Sequence, residues 1–114
     1  MAQSNLVKFR FRPGGKEKWL RWCEELKRRA PEVQESLRAE AVQAEACFLA
    51  EDGEHVFYFI QAENLAHSHQ VSAASPRPID RQHKMEREGA LEFISNFPAL
   101  FQFDQGVAEQ GENI

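Results

Sequence analysis

Asp80 and His83 stand three residues apart in a segment, Ile79 to about Gly89, whose pattern predicts a helix, so both project from one face. A carboxylate that orients an imidazole is an arrangement suited to general-base work, and histidine is the side chain whose charge changes near neutral pH. The plainer alternative makes Asp80 the cap of the helix and leaves His83 on a solvated or interface surface. Glu45 and Tyr58 form a second candidate pair. They interrupt an otherwise apolar face of a predicted hairpin, shared with Cys47 and Leu49, where a carboxylate must find a partner or change its pKa. The cations within reach are Lys8 and Arg10, on the more polar face of the first predicted strand. If the polar faces coincide, Lys8, Arg10, Glu45 and Tyr58 line either a small-molecule pocket or the inner face of a dimer, and a structural ion pair is the competing reading. Trp19 and Trp22 belong to a helical core stripe, and one of them can edge a pocket between helix and sheet.

Other constellations carry less. His67-Ser68-His69 would pair on a metal only in an extended segment, because alternate residues diverge by about 200° on a helix, and the segment reads as helical. Without a third ligand at a suitable spacing the sequence argues against a metal centre. Cys23 and Cys47 both fall in apolar patterns and read as reduced packing residues. No phosphate-binding loop, nucleophile elbow or zinc motif is present, and no cofactor is expected.

The elements that must position these residues are legible in the periodicities. Asn5 to Arg12 alternates, with Val7, Phe9 and Phe11 on one side, and predicts a strand ended by Arg12-Pro13-Gly14-Gly15. From Lys16 the period becomes helical. Trp19, Trp22, Cys23, Leu26, Ala30, Val33 and Leu37 share a face, and Pro31 should kink this helix or begin a second one, with Ala30 forced out of helical geometry. Asp52-Gly53 predicts a two-residue turn between strands Val42–Glu51 and Glu54–Ala62. That register sets Phe48 opposite Phe57, Ala46 opposite Phe59, Leu49 opposite Val56, Cys47 opposite Tyr58 and Glu45 opposite Ile60. Both hairpin faces are then largely apolar, which asks for a cover on each side and predicts a homodimer. Asn64 caps a short helix to about Val71, Ser72–Pro78 reads as a loop, and Leu91–Ile94 and Ala99–Phe103 read as one last strand or two around Ser95–Pro98.

The chain has 114 residues, 28% of them charged, with 42% hydrophobic residues and nine Phe, which suits one domain and excludes a disordered chain. That domain should span residues 1–104, with a flexible tail from 105 to 114. Residues 1–30 carry net +6 and the remainder −10. Most of this asymmetry is helix chemistry: Lys27-Arg28-Arg29 falls at a helix end, and Glu17/Arg21, Glu24/Arg28 and Glu25/Arg29 are i,i+4 pairs. No basic stripe is interleaved with exposed aromatics, so a nucleic-acid partner is not expected. No apolar run approaches the ~20 residues of a membrane span, and Met1-Ala2-Gln3-Ser4 leads directly into the first strand; both point to a cytoplasmic protein.

The order β-α-β-β-α-β around an antiparallel hairpin is the ferredoxin-like, α+β arrangement. The segments Val7-Lys8-Phe9-Arg10-Phe11-Arg12-Pro13-Gly14, Leu26-Lys27-Arg28-Arg29, Glu45-Ala46-Cys47-Phe48-Leu49 and Ile79-Asp80-Arg81-Gln82-His83-Lys84 resemble a family of small uncharacterised bacterial proteins catalogued as a domain of unknown function. That family is similar in architecture to the dimeric α+β barrels, in which two sheets face each other and helices pack outside. The resemblance implies a homodimer that binds or converts a small molecule without a tightly held cofactor. A non-enzymatic dimeric interaction module is the alternative, because fold does not choose a reaction.

Overall fold

The structure, a computed structural model, describes residues 2–103. Its elements run β1 (Gln3–Phe11), α1 (Gly15–Arg28), α2 (Ala30–Ala39), β2 (Val42–Leu49), β3 (His55–Ala62), α3 (Leu65–Ala74), α4 (Pro78–Ala90) and β4 (Leu91–Pro98). The four strands form one antiparallel sheet in the order β2-β3-β1-β4. β3 therefore lies between β1 and β2, and β1 lies between β3 and β4, so each helical connection skips one strand.

The five pairs from Leu49 opposite Val56 to Glu45 opposite Ile60 are present as predicted, but Glu51 and Glu54, expected to pair, do not, and the register slips between Val42 and Ala44. The turn itself is longer than two residues. Glu51–Glu54 lie outside the strands, Gly53 takes φ 71° and donates its N–H to the Ala50 carbonyl at 3.0 Å. Asp52 Oδ1 accepts from the backbone N–H of Glu54 at 2.8 Å and of His55 at 3.2 Å, a local turn that competes with the tighter one.

The long helix is two. Pro31 sits in the first turn of α2, where its missing N–H costs nothing, and the residue that leaves helical geometry is Arg29 (φ −105°, ψ 30°) rather than Ala30. Arg29 repairs the break. Its N–H donates to the carbonyls of Glu25 and Leu26, and its guanidinium reaches Glu32 at 2.8 Å and Gln82 of α4 at 2.8 Å.

Three further expectations change. The Ser72–Pro78 loop shrinks to Ser75–Arg77, because α3 continues to Ala74 and α4 begins at Pro78. Ser95–Pro98 continues the last strand instead of interrupting it, and 99–103 forms no strand. The pairing of Lys8 with Ser95 and Phe9 with Phe93 leaves Ile94 as a bulge residue, which explains the broken alternation of β4. The tail expected from residue 105 lies outside the described residues.

All four helices cover one face of the sheet. The core there is Trp19, Trp22, Val56, Ile79, Ala90 and Leu91, with Phe9, Phe11 and Tyr58 packed against it. On the other face Leu6, Phe57, Phe59 and Phe97 are half-buried, and Phe48 is 56% exposed. Among the described residues no helix is long and apolar enough to cross a membrane.

Candidate functional site

Between the helix layer and the β2–β3 hairpin lies a cleft of about 260 Å³. Its apolar wall comes from the α1–α2 stripe, chiefly Trp19, Leu26, Val33 and Leu37. Its polar wall brings Glu45 from β2, Tyr58 from β3 and Asp80 and His83 from α4 into one place. Glu45 and Tyr58 share a sheet face because Glu45 stands two positions along from Cys47, the partner of Tyr58. Asp80 and His83 reach the same cleft from one helical face.

The hydrogen bonds have a definite direction. Indole N–H can only donate, so the 2.8 Å contact from Trp22 Nε1 to His83 Nδ1 makes Nδ1 the acceptor and leaves the neutral ring's proton on Nε2. Nε2 stands 2.8 Å from the Tyr58 hydroxyl, which therefore accepts from His83 and donates its own proton to Glu45 Oε2. The chain Trp22 to His83 to Tyr58 to Glu45 ends on a carboxylate at the open side of the cleft. Trp19, Trp22 and Tyr58 surround the imidazole at ring-centroid distances of 5.9, 6.0 and 6.0 Å. That desolvation, reinforced by the positive charge of Arg87 and opposed by Asp80, holds the His83 pKa down at about 4.

This geometry changes the part His83 can play. With Nδ1 occupied and the ring neutral at pH 7, it is a positioning residue that aims the Tyr58 hydroxyl at Glu45. Replacing Trp22 with Phe removes the donor on Nδ1; the His83 pKa, followed by NMR of the ring protons, is expected to rise from about 4 toward 6. An unchanged titration would contradict the assigned direction.

Asp80 does not orient His83. It accepts from Ser36 and from Ser75 Oγ at 2.5 Å, and Arg77 Nε donates to it at 2.9 Å. Burial raises its pKa, but these partners outweigh it and keep the group ionised with a lowered pKa. Nor does Asp80 cap α4 with its side chain. The carboxylates with raised pKa values are two others. Burial between cleft walls raises Glu45, against the Tyr58 hydrogen bond, although one edge of the residue is open to solvent. Glu40, 9% exposed, is raised to about 7 by desolvation and by the charges of Asp80 and Glu45. Its Oε2 stands 3.3 Å from Ser36 Oγ and 4.0 Å from Arg77. Desolvation also pushes the Cys47 thiol up to about 11, so it is no thiolate nucleophile at neutral pH.

Lys8 and Arg10 are not part of this site. Lys8 stands opposite Phe57 and Arg10 opposite His55, on the sheet face away from Tyr58. Lys8 lies 5.8 Å over the Phe57 ring and Arg10 pairs with Glu92 at 3.1 Å. Of the two tryptophans, Trp19 lines the cleft and Trp22 fixes the His83 tautomer. His67 and His69 are both exposed on α3, and among the described residues no three His, Cys, Asp or Glu are grouped to hold a metal ion. Glu40 is the site residue that sequence reading passes over. Val33, Ser36, Leu37 and Glu40 follow the same helical steps, so continuing the apolar stripe by one turn places Glu40 inside.

Fold and site define a small α+β protein whose one-sided helix layer encloses a carboxylate-lined cleft against the sheet. A family profile matches residues 2–95, and the chain belongs to that family, DUF6176, a family of unknown function. A comparison with curated proteins finds no match.

Proposed function

We propose that the cleft binds a small, uncharged and partly apolar molecule and moves a proton on it, without a tightly held cofactor. The observation that carries this reading is the directed chain from Trp22 to Glu45, which ends at an open cavity. Tyr58 holds one oxygen of Glu45, which leaves the other free to take a proton from a bound ligand. Glu40, with a pKa of about 7, is matched to give or receive that proton at neutral pH. The proton lost at one ligand atom is returned at another, so no oxidant or metal is needed. Three carboxylates lining the cleft, Glu40, Glu45 and Asp80, disfavour an anionic ligand. Ligand-observed NMR with uncharged cyclic ketones in D₂O tests the proposal. Expected are saturable binding and exchange of the α-proton for deuterium, with binding weakened about ten-fold in Tyr58→Phe and exchange lost in Glu45→Gln. Binding with no exchange in the native protein would refute the proton-transfer part, and no binding at all would refute the whole.

The partner in this reading is a second copy of the chain. Two β-α-β units that interleave through the order β2-β3-β1-β4 support a ferredoxin-like description, and the resemblance to dimeric α+β barrels supports sheet-to-sheet pairing. Phe48, Phe57, Phe59, Leu6 and Phe97 would supply the interface on the helix-free face. The same face also suits the alternative, a non-enzymatic dimeric module, and a test of it must fall on that face, away from Glu45 on the helix side. Phe48→Glu does. Light scattering should give twice the 13.1 kDa chain mass for the native protein and a monomer for Phe48→Glu. A native monomer at micromolar concentration would end both dimer readings. A cytoplasmic setting accords with the two free thiols, Cys23 and Cys47.

A further inference from the structure

A second recess of about 210 Å³ opens on the other side of Tyr58, between α3, α4 and the β1, β3 and β4 strands. Its floor is apolar, from Val7, Phe9 and Ile60, and its rim carries Arg87, His69 and Asn96. Arg87 is half-buried there. The other half-buried guanidiniums are matched to carboxylates, Arg29 to Glu32 at 2.8 Å and Arg77 to Asp80 at 2.9 Å. Among the described residues Arg87 has no hydrogen-bond or ion-pair partner. Glu45 acts on it only through space, without an ion-pair contact, so its N–H groups are open to a ligand, and a planar guanidinium is shaped to receive a carboxylate through two parallel N–H bonds. Asn5 Nδ2 donates to Asn96 Oδ1 at 3.2 Å, which fixes the Asn96 amide and leaves its own N–H groups as further donors.

The geometry points to a binding site for a small aliphatic monocarboxylate, its carboxylate on Arg87 and Asn96 and its short tail on Val7, Phe9 and Ile60. One guanidinium and one amide suit a single-charged planar anion better than a phosphate dianion, and the volume admits a chain of about three to five carbons. This site is distinct from the acidic cleft and does not depend on the reading proposed for it.

Titration of the native protein with sodium butyrate, followed by amide NMR at constant ionic strength, tests the assignment. Saturable shifts are expected at Val7, Ile60, Arg87 and Asn96, half-maximal on the order of a millimolar. Arg87→Gln should weaken binding at least ten-fold and Asn96→Ala a few-fold. The neutral isostere butyramide, titrated into native protein, should bind at least ten-fold more weakly, which keeps the question answerable if Arg87→Gln fails to fold. The site is overturned if butyrate gives no saturable shifts, if chloride or inorganic phosphate reproduces them, if butyramide binds as well, or if a folded Arg87→Gln binds unchanged.

Discussion

Replacing Gly15 with alanine is expected to lower the midpoint of thermal unfolding by roughly 10–20 °C, the largest loss from alanine at any glycine among the described residues. A Cβ built at Gly15 would stand 2.2 Å from the Ala90 carbonyl oxygen and 3.0 Å from its carbon. Both are backbone atoms that cannot step aside as a side chain could. The Ala90 oxygen already accepts from the Arg12 N–H at 2.8 Å, the Gly15 N–H donates to Arg12 at 2.7 Å, and Arg12 Nε donates to Glu88 at 3.0 Å. The start of α1 and the end of α4 are thus bolted together through one hydrogen-bonded knot. Prising them apart costs about 3 kcal/mol or more, a large share of a typical domain's stability. The opposite outcome is expected for Gly89→Ala. A Cβ there meets nothing within 4 Å, the backbone is helical, and alanine restricts the unfolded chain, so the midpoint should rise by a few degrees. Equal losses in the two variants would show that the close approach of α1 and α4 is not a constraint.

The same contact matters to the site, because α1 carries Trp22 and α4 carries His83. Their 2.8 Å hydrogen bond requires helix axes held close, and only a residue without a side chain at position 15 allows it. A pH titration of His83 in Gly15→Ala should therefore drift upward with the fall in stability, even though residue 15 touches neither ring.

The parts of this architecture legible in the sequence are those set by local chemistry. Asp52-Gly53 fixed the register of the five pairs from Leu49–Val56 to Glu45–Ile60, so Cys47 was placed beside Tyr58 and Glu45 two residues along without any tertiary knowledge. The α1 stripe likewise located Trp19 and Trp22 in the core. What stayed hidden depends on neighbours distant in sequence. Asp80 and His83 share a helical face, yet the carboxylate is taken by Ser36 of α2, distant in sequence, which joins Ser75 and Arg77 from the turn just before α4. Lys8 and Arg10 lie one residue out of phase with Tyr58 across the ladder, a relation set by strand pairing between β1 and β3. β4 was obscured because Ser95 and Asn96 are polar. Asn96 stays exposed at the rim of the recess beside Arg87 and accepts a hydrogen bond from Asn5 of the neighbouring β1 instead of packing into the core.

The two abnormal groups at the cleft should give opposite tilts to stability against pH, and separating them is the most direct probe of the site's electrostatics. His83 has a folded pKa of about 4 against an ordinary 6.5. Between those values the unfolded chain binds a proton that the folded protein refuses. This contribution is present above about pH 6.5 and is lost as pH falls toward 4. Glu40 is raised from 4.5 to about 7, so the folded protein holds a proton that the unfolded chain has released. Its contribution is present below 4.5 and is lost as pH rises through 7. Each amounts to about 3 kcal/mol at most, and between pH 4.5 and 6.5 the two slopes cancel. Glu40→Gln removes one side of the balance. Urea unfolding of that variant should show stability increasing by about 2–3 kcal/mol from pH 4.5 to 6.5 relative to the native protein. His83→Gln should tilt the other way by a similar amount, whatever its absolute stability, and the double variant should restore the native slope. The readout is a difference in slope, so the background titration of the remaining acids drops out. If both single variants run parallel to the native profile, then neither group is held in the protonation state from which the cleft's chemistry has been argued.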